Sequence, residues 1–289
     1  MTIRQSLEKL GAFLKQAGIE NPEIEAEIIL AHILAKDRFW LHLNPNSQIE
    51  KALEKEAWRI ARRRANGEPL AYLTSEKEFW SLPFYVTPAT LVPRPETELI
   101  VETLLKLAPK SEKELELADL GTGSGIIAVA IAKELPKSWI VAIDKSFRAL
   151  KVAQRNAMRH GVEKQIAFVA SDWLTAIKEC GNSGPCFDFI VSNPPYVSTE
   201  EAQQLQREVK KFEPGEALFA GKKGTEAVEK IITEAPSHLA DEGWLLCEIG
   251  WNQGSEIKQF TQLQGRYKNI AIIRDLADLD RLLVAQKKG

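Results

Sequence analysis

The second half of the chain alternates short apolar runs with helical patterns, and this alternation limits the possible folds more than any other feature. Five runs have the length and composition of buried strands. They are residues 115–120, 138–143, 166–170, 187–191 and 243–249. Because parallel strands need a crossover connection, strands that alternate with helices predict a doubly wound, mostly parallel sheet.

The last two predicted strands differ from the others because no helix separates them. Residues 269–273 and 281–285 are close in sequence and predict an antiparallel hairpin at one edge of the sheet. An α/β sheet of seven strands with the last one reversed looks like the class I, Rossmann-like methyltransferase fold. It is less similar to a dehydrogenase.

The first 70 or so residues show helical patterns with clear start signals. Thr2 with Gln5 forms a capping box, and Asn21-Pro22 places proline at a first helical position. The second helix is expected to bury Ile24, Ile28, Ala31 and Ala35. Ser47 with Glu50 predicts a third helix that ends near residues 66–67. We therefore predict a small helical bundle over residues 1–72.

Between this bundle and the sheet lies a segment rich in β-branched and aromatic residues and interrupted by prolines. Residues 79–86 and 89–92 predict the two strands of a hairpin, which makes residues 73–95 a linker. The methyltransferase-like domain then occupies residues 96–289. Its first loop, residues 93–98, is stiffened by proline and is interpreted either as a rigid connection or as the wall of a pocket.

Composition excludes several classes of protein. Lys and Arg total 38 against 40 Asp and Glu, a formal charge of −2, so the chain is not a strongly basic nucleic-acid binder. No apolar stretch approaches the roughly 18 residues that span a bilayer. The amino terminus begins an amphipathic pattern rather than a signal peptide, so we expect a cytoplasmic protein.

The cysteines and histidines are few and scattered. Cys180, Cys186 and Cys247 have no CxxC spacing, and the four histidines form no cluster. We therefore expect neither a metal site nor a disulfide framework.

A glycine-rich loop follows the first predicted strand of the sheet. Gly121-Thr122-Gly123-Ser124-Gly125 leads into a helix, where glycine permits a tight turn and close approach of a ligand. Asp144 ends the next strand, where it can accept hydrogen bonds from ribose hydroxyls or simply cap the helix after Ser146. Loop and acid together predict a cofactor that contains adenosine, which fits S-adenosylmethionine and NAD equally well.

The third predicted strand ends in Asp172-Trp173, which would lie beside the adenine. Asp172 could accept a hydrogen bond from an amino group, and the Trp173 ring could stack on the base. Trp173 is equally compatible with an ordinary position in the core.

The fourth predicted strand ends in Asn193-Pro194-Pro195-Tyr196. Two prolines end a strand in an extended loop, which can serve simply as an exit from the sheet. The same loop also suits a planar NH2 group, because the Asn193 side-chain oxygen and the Pro194 carbonyl can each accept one N–H while Tyr196 covers the plane. Hydride transfer needs no such arrangement. Methyl transfer to an amide or amino nitrogen does, because positioning activates a delocalised lone pair.

Four arginines lie near the end of the third predicted helix: Arg59, Arg62, Arg63 and Arg64. They could contact RNA or an acidic partner. We favour a solvated last turn that complements the helix dipole.

These motifs together give a close resemblance to the HemK-like family, the protein-glutamine methyltransferases that modify peptide chain release factors. The resemblance covers nearly the whole chain. The segments that carry it are residues 67–73, 78–80, 92–98, 121–125, 193–196, 212–214 and 248–250. Ser75, Ser81 and Ala220 stand where the family usually has glycine, and Lys223 where it usually has an acid.

The resemblance implies a reaction and a set of site residues. S-adenosylmethionine, converted to S-adenosylhomocysteine, would be bound by Gly121 to Gly125, Asp144, Trp173 and Asn193. Asn193 to Tyr196 would hold the glutamine amide of a Gly-Gly-Gln motif in class 1 release factors. The helical bundle would help to bind that partner. Asn193, Pro194 and Tyr196 are the expected catalytic residues.

Other functions remain open at this stage. An enzyme that methylates an exocyclic amino group of a nucleic acid must also position a planar NH2 group, so the same motif would suit it. The near-neutral charge of the chain disfavours this alternative. A dehydrogenase and a non-catalytic adaptor for the ribosome are further alternatives. We expect a monomer with no direct nucleic-acid contact and no membrane association.

Overall fold

The computed structural model describes residues 1–109, 114–181, 184–203 and 207–289. The chain forms two compact units. The first contains Met1–Glu76 and Gln206–Phe212, and the second contains Lys77–Leu205 and Glu213–Gly289. Among the described residues, no helix has both the length and the hydropathy needed to cross a membrane.

Helices and strands are numbered separately in chain order. The helices are α1 (Ile3–Gln16), α2 (Pro22–Leu34), α3 (Arg38–Leu43), α4 (Lys51–Ala65), α5 (Leu70–Thr74), α6 (Glu98–Leu107), α7 (Ile126–Glu134), α8 (Phe147–Arg159), α9 (Arg207–Phe212), α10 (Glu226–Glu234) and α11 (Gly254–Leu263). The strands are β1 (Glu76–Phe79), β2 (Leu82–Tyr85), β3 (Glu116–Leu120), β4 (Trp139–Asp144), β5 (Ile166–Ala170), β6 (Phe187–Ser192), β7 (Val197–Ser198), β8 (Phe219–Gly221), β9 (Leu239–Glu248), β10 (Tyr267–Arg274) and β11 (Asp280–Lys287).

The first unit is a helical bundle whose two opening helices begin at predicted signals. The Thr2 hydroxyl accepts a hydrogen bond from the Gln5 backbone N–H, and the Gln5 side chain accepts one from the Thr2 N–H. This reciprocal pair satisfies two of the N–H groups that a helix start leaves free. Pro22 occupies the first position of α2 as predicted.

Other details of the bundle differ from the prediction. α4 begins at Lys51 after Glu50, so the prediction of a Ser47 cap was wrong. The Ser47 carbonyl instead accepts a hydrogen bond from Ile3 N at 3.0 Å, which pairs this segment with the start of α1. The short helices α3 and α5 were not predicted, because segments of five or six residues carry too little periodicity.

The buried face of α2 also differs from the prediction. Ile24 is 46% exposed, whereas Ala26, Ile29 and Leu30 are fully buried. Apolar residues lie on every side of this helix, so its sequence does not favour one face. Packing against α1 and α4 selects the buried side.

The prediction of a solvated last turn was wrong for Arg64. Its side chain is largely buried and donates hydrogen bonds to Glu25 at 2.6 Å and to Glu208 at 2.7 Å. Two neighbouring arginines also form ion pairs, Arg59 with Glu56 and Arg63 with Glu68. A buried cation needs such carboxylate partners.

The second unit is built on a seven-stranded sheet with the order β10-β11-β9-β6-β3-β4-β5. β9, β6, β3, β4 and β5 pair in parallel, and β11 is antiparallel to both β9 and β10. The predicted fold, with its reversed last strand, is therefore confirmed. Separate apolar clusters cover the two faces, which explains why the central strands are continuously apolar.

The hairpin forms within a shorter stretch than predicted. β1 pairs with β2, and the turn contains Trp80 and Ser81, both with positive φ. Residues 89–92 form a turn and a following loop rather than a strand, so that part of the prediction was wrong. In this loop the Val92 N–H donates to the Glu213 carboxylate rather than to a neighbouring strand.

Cys180 and Cys186 form a disulfide, with their Cα atoms 4.8 Å apart. The expectation that the cysteines would not pair was therefore wrong. A local bridge between Cys180 and Gly184 brings the two ends of this short segment together. Cys247, on β9, is free and buried.

Candidate active site

The carboxyl ends of β3, β4, β5 and β6 border one cavity, as expected for an open α/β sheet. Most residues that the sequence analysis selected line it. They are Gly121, Thr122, Gly123, Ser124, Asp144, Asp172, Trp173, Asn193 and Pro195. Gly125, Pro194 and Tyr196 do not line the cavity. Pro93, Arg94 and Thr97 do, so the interpretation of residues 93–98 as a pocket wall is confirmed.

The glycine loop turns sharply at the end of β3. Gly121 and Gly123 have φ values of +72° and +55°, a region that side chains with a Cβ rarely adopt. The backbone N–H groups of Gly121 and Thr122 both donate to the Ile143 carbonyl, at 2.8 and 2.9 Å. These bonds hold the loop against the end of β4 and leave its open side toward the cavity.

Gly125 serves helix packing. It precedes α7 with φ +80°, and a Cβ added there would approach the Cβ of Ala153 on α8 to 3.0 Å. The absence of a side chain therefore lets α7 and α8 pack closely, which is one of the reasons glycine recurs in such loops.

Asp144 joins the glycine loop to the start of α8. One carboxylate oxygen accepts from Gly123 N at 2.9 Å, and the other accepts from Ser146 N at 2.8 Å. Burial raises the pKa of this carboxyl, and the two N–H donors oppose that shift. Ser146 itself caps α8 by accepting from Ala149 N. Each Asp144 oxygen retains a lone pair for a ligand hydroxyl.

Asp119 is a buried acid beside the glycine loop for which the sequence predicted no role. It lies fully buried on β3, where one oxygen accepts from the Thr122 hydroxyl at 2.6 Å and from Ala128 N. Its other oxygen has no hydrogen-bond partner among the described residues. Burial raises the pKa of Asp119 to about 7. An acid inside an otherwise apolar strand was the signal that could have identified it.

Asp172 and Trp173 stand at the end of β5. Asp172 is mostly exposed and accepts a hydrogen bond from Lys230 Nζ at 2.7 Å. One of its carboxylate oxygens is therefore already engaged. Trp173 has φ +52°, and a Cβ on Gly121 would lie 3.5 Å from its ring. The ring also packs against the core, so Trp173 belongs to both cavity wall and core.

Asn193 is fixed by two residues that are distant in sequence. Its Nδ2 donates to the Thr97 hydroxyl at 2.9 Å, and that hydroxyl donates to Glu248 Oε2 at 2.8 Å. Thr97 and Glu248 are both almost completely buried. Burial raises the pKa of Glu248 to about 7, while the Thr97 hydrogen bond opposes the shift. Neither residue was predicted from the sequence to have a role at the site.

The loop that follows Asn193 is also held by Gln253. The Gln253 side chain donates to the carbonyls of Tyr196 and Gly224, each at 3.1 Å, and accepts from Gly250 N at 2.8 Å. A Cβ on Gly224 would lie 2.8 Å from the Tyr196 carbonyl oxygen, so glycine is needed there. Burial raises the pKa of the Tyr196 hydroxyl above its usual range.

Glu213 attaches residues 92–94 to the segment that follows α9. Its carboxylate accepts from Arg94 Nη2 at 2.6 Å and from Val92 N at 3.1 Å, and its side chain is 1% exposed. The next residue, Pro214, lines the cavity with Arg94. An ion pair between a partly exposed arginine and a buried carboxylate therefore fixes this part of the wall.

The chain is similar in sequence to known methyltransferases. Residues 5–74 match the PrmC N-terminal domain, and residues 95–211 match the methyltransferase small domain. The release factor glutamine methyltransferase of Coxiella burnetii is 44% identical over 270 residues, 93% of each chain. That of Koribacter versatilis is 40% identical over 290 residues, 99% of each chain.

Among solved structures, the hMettl16 catalytic domain in complex with an RNA hairpin has a TM-score of 0.57. The match covers 89% of this chain and 91% of that chain at 16% identity, so it bears on the fold alone. The identities to the two relatives extend across both units. The chain belongs to the family of release factor glutamine methyltransferases.

Proposed function

We propose that this protein transfers a methyl group from S-adenosylmethionine to the side-chain amide nitrogen N5 of a glutamine in class 1 peptide chain release factors. The glutamine would be that of the Gly-Gly-Gln motif. The names of the relatives support the reaction class. The observation that carries the proposal is the orientation of Asn193, whose NH2 group is turned to Thr97 while the residue lines the cavity.

The residues at the cavity suit S-adenosylmethionine. Gly121 and Gly123 have no side chain to obstruct it, and Asp144 keeps lone pairs for ribose hydroxyls. Trp173 offers a ring beside Gly121. When bound, the cofactor supplies a methyl group on a positively charged sulfur. We assign its binding to Gly121, Thr122, Gly123, Ser124, Asp144, Asp172, Trp173 and Asn193. Gly125, the last residue of the glycine loop, supports this site indirectly by letting α7 pack against α8.

The protein's own contribution is to orient the amide nitrogen. The lone pair of a carboxamide is delocalised, so the nitrogen is a poor nucleophile. Asn193 Oδ1 and the Pro194 carbonyl would each accept one of its N–H groups, and Tyr196 and Pro195 would enclose its plane. No strong base is needed before attack, because the nitrogen loses a proton only after it has become cationic.

The remaining assignments concern partners. We propose that residues 1–72 help to bind the release factor, that the protein acts as a monomer, and that it makes no direct contact with nucleic acid. The near-neutral formal charge of −2 supports the last point, since nucleic-acid binding depends on basic surface.

The test is transfer of labelled methyl from S-adenosylmethionine to purified release factor. A release factor whose Gly-Gly-Gln glutamine is replaced serves as the control, and duplex DNA and ribosomal RNA are assayed in parallel. Label on the wild-type factor alone is the expected result. Label on nucleic acid, or on none of the substrates, would contradict the proposal.

Asn193→Ala tests the amide-binding role directly. Removing one oriented partner of the reacting group is expected to lower kcat by about 100-fold or more. Thermal unfolding should remain cooperative, because Asn193 is only partly buried. Full activity in this variant would exclude the proposed role.

A further inference from the structure

Three residues form a hydrogen-bonded chain at the carboxyl ends of β6 and β9. These strands pair with Ser192 opposite Cys247, so Asn193 and Glu248 directly follow this pair. Thr97, just before α6, lies between them and is fully buried. The chain runs from Glu248 through the Thr97 hydroxyl to the Asn193 amide.

When Glu248 is ionised, the number of available protons fixes the direction of both hydrogen bonds. A hydroxyl has one proton, and an ionised carboxylate can only accept. The Thr97 proton therefore goes to Glu248 Oε2, 2.8 Å away. Toward Asn193 the Thr97 oxygen can then only accept, so Asn193 must present its NH2 group, 2.9 Å away.

This constraint determines which end of Asn193 is available to a ligand. With Nδ2 turned to Thr97, the amide oxygen is the remaining polar atom of a side chain that lines the cavity. Within the described part of the chain, no group donates a hydrogen bond to Asn193 Oδ1. The site therefore presents an acceptor, not a donor.

We propose that Thr97 and Glu248 are positioning residues that hold Asn193 as a hydrogen-bond acceptor and thereby make the site select a glutamine side chain over a glutamate side chain. This inference rests on the proposed function. It adds a physical basis for discrimination between two side chains of nearly the same shape.

The selection follows from the mismatch that a carboxylate would create. A glutamine amide donates two N–H groups, which match Asn193 Oδ1 and the Pro194 carbonyl. A glutamate carboxylate has only acceptors, so its oxygens would face two further acceptors and lose their hydrogen bonds to water. A site with fixed hydrogen-bonding partners strongly rejects an analogue that lacks the matching group.

Protonation of Glu248 would remove the constraint. A neutral Glu248 can donate to Thr97, which can then donate to Asn193 Oδ1 and stabilise the reversed amide. The charged or titratable groups that act on Glu248 are Arg281 at the start of β11, Glu96 before α6, and Tyr196. Burial raises the pKa of Glu248 to about 7, so methyl transfer is expected to decline as pH falls through this value.

Thr97→Val is the central variant, because it removes the hydroxyl and keeps the side-chain shape. Its kcat for release factor should fall by about tenfold, the equivalent of one hydrogen bond. The decline near pH 7 should disappear, because Glu248 is no longer linked to Asn193. Thr97→Ser should recover much of the rate and the pH dependence. Thr103→Val, another buried threonine, on α6, is the matched control and should behave as wild type.

Glu248→Gln provides a second route in case Thr97→Val does not fold. The amide cannot change its charge, so this variant should also lose the decline near pH 7. A wild-type pH profile in either variant would overturn the inference.

Selection itself is measured with release factor whose acceptor glutamine is replaced by glutamate, used as a competitive inhibitor. It should bind wild-type enzyme at least about tenfold more weakly than the unmodified factor, and this ratio should shrink in Thr97→Val. An unchanged ratio would contradict the inference. If wild-type enzyme does not methylate the factor, the proposed function itself fails. Methylation with unaltered selectivity in the variants refutes only the positioning role.

Discussion

Two serines adopt a backbone conformation that favours glycine. Ser75, which ends α5, and Ser81, in the β1–β2 turn, both have φ of +56°. A side chain is strained there because its Cβ crowds the backbone. These are two of the positions at which the resemblance pointed to a departure from glycine, and their geometry supplies the physical reason for that preference.

Ser75→Gly and Ser81→Gly are therefore expected to stabilise the protein. Relief of the positive φ should exceed the added flexibility of the unfolded chain and raise the free energy of unfolding by about 0.5–1 kcal/mol each. Chemical denaturation measures the change. Ser146→Gly is the matched control, since φ is −88° there and the hydroxyl caps α8, so it should be slightly destabilising. Destabilisation by both test variants would refute the argument.

At the scale of elements, the glycine loop has two separate tasks. Gly121 and Gly123 line the cavity, whereas Gly125 allows α7 to approach α8 at Ala153. The contact between α7 and α8 therefore also positions the glycine loop, because α7 starts directly after this loop. The family motif alone does not separate these tasks.

Gly125→Ala tests the packing task without any ligand. The substitution strains a φ of +80° and places a methyl group 3.0 Å from Ala153 Cβ. Its expected cost is about 2–4 kcal/mol in unfolding free energy. Gly161→Ala is the control, because φ is +68° there but no atom lies within 4 Å, so only about 1 kcal/mol is expected. Equal losses would show that the contact contributes nothing.

At the scale of the whole molecule, two buried acids make stability depend on pH. Burial raises the pKa of Asp119 and of Glu248 to about 7, well above their ordinary values. Between about pH 4 and pH 7 the folded protein holds protons that the unfolded chain has lost. These two groups therefore lower stability as pH rises through this range, and their effect is complete above it.

Asp119→Asn removes one of these contributions. The free energy of unfolding of the variant minus that of wild type should increase by about 2–3 kcal/mol as pH rises from 5 to 8. Urea unfolding at the two pH values measures it. A constant difference between variant and wild type would show that Asp119 does not titrate in this range.

The sequence predicted those features that depend on local patterns. The strand–helix alternation, the Thr2 cap and the reversed last strand each arise from neighbouring residues, and simple topological rules place the ends of β3 to β6 at one edge. The glycine loop, Asp144 and Asn193 were therefore predictable as parts of one cavity. Asp119, an acid on the buried strand β3, could have been noticed from the same pattern as a residue that supports the loop without lining the cavity.

The tertiary structure decided the features that join distant parts of the chain. Asn193 contacts Thr97 across 96 residues, and Thr97 contacts Glu248 across 151. The buried face of α2 and the partners of Arg64 are likewise set by packing. The sequence determined the fold class and the chemistry of the Asn193 loop, because these follow from local periodicity and residue type. Only the folded sheet determined the orientation of that amide, because hydrogen-bond direction depends on which side chains strand order brings together.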